Sequence, residues 1–145
     1  MYLLYFIVLD FLNAFNFPEF DSVLESNKTY LTLSFLCFVL PIIFWLLFYK
    51  FYSYPYAKLF HWISAFAILL IIVGILSYAS VNEALLGANN SGIDQLLASN
   101  NSAQEIADSL PLYLSIYNVF ISAILGFGYS IFLKRLSKVQ MHLPF

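Results

Sequence analysis

The chain has 145 residues, 62% of them hydrophobic and 10% charged, and a formal net charge of −2. Soluble domains carry about 25% charged residues, so this chain lacks the polar side chains to cover a water-facing surface, and lipid is its expected solvent. Only six Lys plus Arg are present, with no basic run before the C-terminal tail, which leaves no electrostatic footprint for nucleic acid.

Residues 1–17 are apolar but interrupted by Asp10, Asn13 and Asn16. A cleaved signal peptide fits poorly, because the basic n-region and a small-residue cleavage site are missing. A helix lying at the membrane interface is one alternative. A short span of about 25 Å, at about 1.5 Å per residue, is the favoured expectation, closed by Pro18, which pushes its predecessor out of helical geometry. Residues 18–29 are short, acidic and polar, and are expected to form a surface connection.

Two charge-free stretches follow, residues 30–49 and 59–80. Each matches the roughly 20 apolar residues that cross a bilayer. Pro41 removes an amide from the middle of the first, which predicts a kink. The turn between them is crowded with amphipathic rings around Lys50 and Lys58. Such rings settle at headgroup level, so Trp45, Lys50, Lys58 and Trp62 are expected to be interface anchors, together with Lys134 and Arg135 at the other basic cluster.

After Ser80 the composition turns to Asn, Ser, Ala and Gly, with acids and no base. Residues 82–110 are expected to form a loop outside the bilayer with short helices near 92–98 and 103–110, the second started by a capping box at Ser102-Ala-Gln-Glu105. The last span is expected over 111–133, with Pro111 at its first helical position, followed by a basic tail at 134–145. The resulting fold class is all-α: a four-helix transmembrane bundle forming a single domain. The alternative is three spans plus an interfacial N-terminal helix.

Five of the six basic residues (Lys50, Lys58, Lys134, Arg135, Lys138) share the side of the aromatic turn and the tail. That bias places turn and tail in the cytoplasm. With four spans both termini are cytoplasmic, in the plasma or inner membrane. The opposite side carries N-x-S/T triplets at Asn27, Asn89 and Asn100, which composition explains as an Asn/Ser-rich loop rather than glycan acceptors.

Asp10 is the one acid inside an expected span, and such a residue is a functional candidate by default. Depth, counted at about 1.5 Å per residue, brings Asp10 and Asn118 to one level, with Cys37 and Gly74 close to it. They are expected to form an intramembrane polar layer, either lining an ion or proton path or only hydrogen-bonding helix to helix. On the last span Ser115, Asn118, Ser122, Gly126 and Ser130 share one helical face. Small residues four apart let helix backbones approach closely, so this face, together with Gly74 on the third span, is expected either to pack against a helix or to line a pore.

Catalytic chemistry finds no foothold. Zinc spacing, a glycine-rich phosphate loop and hydrolase or protease motifs are absent from the sequence, and no base stands beside a nucleophile. The single cysteine cannot form an intrachain disulfide. No cofactor or metal is implied. The sequence points to a non-enzymatic multi-pass membrane protein, an anchor, sensor or assembly subunit whose partners are lipid, its own copies or other subunits. The alternative from another class is a homo-oligomeric pore of the holin or anti-phage effector type; a small transporter is the third.

Overall fold

The computed structural model describes Tyr5, Leu9, Asp10 and residues 18–51, 59–87 and 97–134. Four helices run through them: α1 (Pro18–Ser26), α2 (Thr29–Phe51), α3 (Leu59–Leu86) and α4 (Asn101–Lys134). The described residues contain no strand. Three helices, over Thr29–Lys50, Phe60–Leu86 and Asn101–Leu133, are long and apolar enough to cross a membrane. The described chain therefore has three candidate spans rather than four. The fourth expected span, 1–17, lies outside the described residues except at Tyr5, Leu9 and Asp10, as do the turn at 52–58 with Lys58, the Asn89 triplet, and the tail from Arg135.

α2 and α3 are apolar on every side. Leu31, Phe35, Leu46 and Leu47 are exposed on α2, and Ile68, Ile71 and Ile75 on α3. Helices with apolar residues on each face are compatible with a membrane. α2 runs unbroken through Pro41, whose ring is buried. Membrane helices tolerate such a proline because neighbours can satisfy the freed carbonyl.

α3 continues past Ser80 to Leu86, and α4 begins ten residues before Pro111. The N-cap of α4 is Asn100: its side-chain oxygen accepts from the Ser102 amide at 3.0 Å, and its carbonyl accepts the first intrahelical bond, from Gln104, at 3.2 Å. This replaces the expected capping box at Ser102 and makes Pro111 an interior residue. The cause is tertiary. Ala103, Ala107, Leu110 and Leu114 recur at helical spacing and are all buried, so their packing carries the helix through a proline that costs it one amide. Of the other expected short helix, 92–98, only residues 97–99 are described, of which 97 and 98 fall within it, and all three are helical.

Residues 18–26 are a helix and not a surface connection. Glu19 and Asp21 lie in its first turn, where the helix dipole favours acids, and Phe20 and Leu24, four apart, are fully buried. The helix stops at Lys28, which takes the left-handed conformation (φ 56°), with its amide bonded to the Glu25 carbonyl at 2.9 Å. The Lys28 carbonyl then accepts from Leu31 at 3.0 Å, inside the first turn of α2.

Two differently built ends result. At the cap end, α1 and the ends of α3 and α4 bury Phe20, Leu24, Leu33, Val81, Leu85, Ala107 and Leu110 together with Tyr5 and Leu9. At the aromatic end the interior is rings: Trp45 stacks on Trp62 at a centroid separation of 5.5 Å and on Tyr49 at 5.7 Å. Trp45 is fully buried and Trp62 nearly so. The two tryptophans are core residues of the bundle, not the headgroup anchors that their position near Lys50 implies. Planar rings fill a three-helix interior as readily as they fill an interface, and the Trp62 N–H finds a partner inside, the Ser130 hydroxyl.

If α1 is a packed element, Phe20→Ala removes a full core contact, and the unfolding free energy is expected to fall by about 3 kcal/mol. Denaturant titration in mixed micelles checks this. An unchanged midpoint would return residues 18–26 to the status of a solvated link.

Candidate functional site

The face of α4 that carries Ser115, Asn118, Ser122, Gly126 and Ser130 points into the bundle. All five residues are buried; Asn118 and Ser130 bond to α2, α3 and the N-terminal segment of the same chain, and the Ser115 hydroxyl donates to the Leu112 carbonyl of its own helix.

Asn118 is the centre of the upper cluster. Its amide nitrogen donates to the Leu33 carbonyl on α2 at 3.2 Å and to the Ser77 hydroxyl on α3 at 2.7 Å. Its amide oxygen accepts from the Tyr5 hydroxyl at 3.0 Å. One side chain thus joins four segments. Tyr5 is held there by rings, stacked on Tyr30 at 5.8 Å and edge-on to Tyr117 at 6.0 Å. The Ser34 hydroxyl donates to the Tyr30 carbonyl at 2.7 Å, and the Cys37 thiol faces the Ser34 carbonyl at 3.6 Å. Cys37 is buried and borders this cluster.

The expected partnership of Asp10 with Asn118 is not what the structure holds. Asp10 is exposed, and Tyr5 takes the place beside Asn118. A neutral phenol is far cheaper to bury than a carboxylate, and Leu9, the neighbour of Asp10, is the residue turned inward. Of the expected layer, Asn118 and Cys37 come together and Asp10 stands apart. Gly74 serves close packing: a Cβ there would lie 3.1 Å from the Val119 side chain, so α3 and α4 meet closely at this glycine.

The lower cluster centres on Ser130. Its hydroxyl receives the Trp62 indole N–H at 2.6 Å and shares a 2.7 Å hydrogen bond with the Tyr49 hydroxyl. α2 and α3 are thereby tied to one position on α4. Between the clusters, Gly126 lies beneath the rings. A Cβ on it would meet Phe66 at 3.1 Å, Leu69 at 3.6 Å and the Trp45 indole nitrogen at 3.6 Å. Gly128, two residues on, faces open space, so only the glycine on the inward face is required by packing.

Elsewhere, Asn27 donates to the Ala84 carbonyl at 3.4 Å, and Tyr30 donates to Asp21 at 2.7 Å. The second bond fastens α1 to α2, and the first fastens the turn that follows α1 to α3. Among the described residues no three His, Cys, Asp or Glu side chains gather in a way that could hold a metal ion.

Sequence reasoning missed Tyr5, Ser34 and the pairing of Tyr49 and Trp62 with Ser130. Tyr5 had one available signal: it and Leu9 are four apart, a helical face separate from that of Asp10. No protein-family model, curated protein or solved structure matches this chain, so the geometry carries the functional argument by itself.

Replacing Asn118 by Leu keeps the volume and strands the hydroxyls of Tyr5 and Ser77 in apolar surroundings. The bundle is expected to lose about 1–3 kcal/mol, read by the same micellar denaturation. Stability at or above wild type would show that the cluster is not holding the segments together.

Proposed function

We propose that this chain is a non-enzymatic multi-pass membrane component, an anchor, sensor or assembly subunit of a larger membrane complex. What supports this reading is the direction of the α4 stripe. The whole stripe is buried, and Asn118 and Ser130 bond to the chain's own helices, so this face is not offered to a solute or to a lumen. The surface left to other molecules is apolar along the spans, with large exposed side chains such as Phe120, Ile124 and Phe132, and acidic at the cap end, where Glu25, Glu105 and Asp108 are exposed. The first kind of surface meets lipid or other helices; the second meets water or a soluble partner.

The positive charges give the orientation in this proposal, with the 52–58 turn and the tail in the cytoplasm and the cap outside. Three spans would then place the N-terminal segment outside with the cap. A homo-oligomeric pore would need a lining other than the Ser115–Ser130 face, and for that reason it ranks second.

Sizing of the particle in nanodiscs, with mass spectrometry of what copurifies, tests the proposal. A stoichiometric partner, or a defined assembly of copies that leaves the membrane tight to ions on induced expression, is expected. A monomer with no companion, or rapid depolarisation of expressing cells, would overturn it.

A further inference from the structure

Midway between the two clusters, two buried side-chain groups have no hydrogen-bond partner, and a backbone carbonyl of the facing helix lacks its usual i+4 donor. The Trp45 indole N–H and the Ser122 hydroxyl are both buried and both unbonded, and each residue is fully buried. The third is a backbone carbonyl. Pro41 carries no amide hydrogen, so the Cys37 carbonyl has no i+4 donor in the helix.

Register brings the three together. α2 and α4 both run from the cap end towards the aromatic end. The Asn118 bond to the Leu33 carbonyl joins the two helices above and the Tyr49 bond to Ser130 joins them below. Between those ties, Cys37 and Pro41 on α2 run alongside the stretch of α4 that carries Ser122 and Gly126. Helical side chains lean towards their own N-terminus, and the Trp45 ring does so, its nitrogen reaching the Gly126 level at 3.6 Å from the Cβ position. A carbonyl points along the helix towards its C-terminus, so that of Cys37 is directed at the same level from above.

We infer that a single water molecule is bound inside the bundle between α2 and α4, accepting from Trp45, donating to the Cys37 carbonyl and hydrogen-bonded to the Ser122 hydroxyl. The chemistry selects water. Trp45 offers only a donor and Cys37 only an acceptor, so the occupant must both accept and donate. Three polar partners are what buried waters typically have. Size limits the occupant as well, because a methyl group at Gly126 would already touch Phe66 and Leu69, which leaves no room for an organic ligand. An ordered water at a membrane-helix proline also supplies the hydrogen bond that the proline removes.

The chain has two tryptophans, and the second is a built-in control, because the Trp62 N–H bonds directly to a serine hydroxyl. Full-length protein in nanodiscs, labelled with ¹⁵N at the indoles, gives two resonances to compare. The Trp45 N–H is expected to show a cross-peak to water with the sign of a long-lived bound molecule, and Trp62 is expected to show none. A cross-peak relayed through a serine hydroxyl would appear at Trp62 too. Ser122→Ala is expected to shift the Trp45 resonance and leave Trp62 in place. Absence of the water cross-peak at Trp45, equal peaks at both indoles, or a Ser122→Ala spectrum in which neither indole moves would each overturn the inference.

Discussion

Asn118 uses both hydrogens and the oxygen of its amide on three other segments of the chain, at 3.2, 2.7 and 3.0 Å. In apolar surroundings an unpaired amide or hydroxyl costs several kcal/mol, so none of the three segments can move away from Asn118 without leaving a buried polar group unpaired. That penalty, more than the attraction of any single bond, fixes which faces of α2, α3 and α4 turn inward. Helices that are apolar all round have no hydrophobic incentive to choose one face over another in lipid. A buried asparagine supplies the missing choice.

Once Asn118 faces inward, the residues one, two and three turns below it must follow, since Ser122, Gly126 and Ser130 lie on the same line. Gly126 admits the rings of Trp45 and Phe66, and Ser130 receives Trp62 and Tyr49. α4 thus acts as a central post with a polar tie at each end and a close aromatic contact between them. The cap end adds a conventional apolar core with α1 and the ends of α3 and α4. It is the part of the described chain built most like a soluble domain.

Much of this was legible in the sequence, and what was not has physical causes. The three long helices follow from uninterrupted apolar stretches, and the α4 stripe from spacings of three and four. Whether that stripe faces a helix or a lumen depends on partners far away in the chain; the Tyr5 contact spans 113 residues. Tyrosine in an apolar segment carries no mark that separates an interface ring from a buried donor, and Trp45 and Trp62 misled for the same reason. α1 was hidden because nine residues with acids and a leading proline resemble a loop, although Phe20 and Leu24 had the helical spacing. Pro111 concealed the start of α4, since a strong local signal was overruled by the burial of Ala103, Ala107 and Leu110.

The α4 stripe faces α2 within one chain, and the lone cysteine, Cys37 on α2, makes this directly measurable. Ser122→Cys adds a second thiol on the buried face of α4, whereas Ile124→Cys adds one on an exposed face. Treatment of membranes with a mild oxidant, which takes two electrons and two protons to close a disulfide, should join Cys37 to position 122 inside a single chain and leave position 124 unjoined to Cys37. Cross-linked dimers through position 122, or an intrachain link at 124 in place of 122, would contradict it.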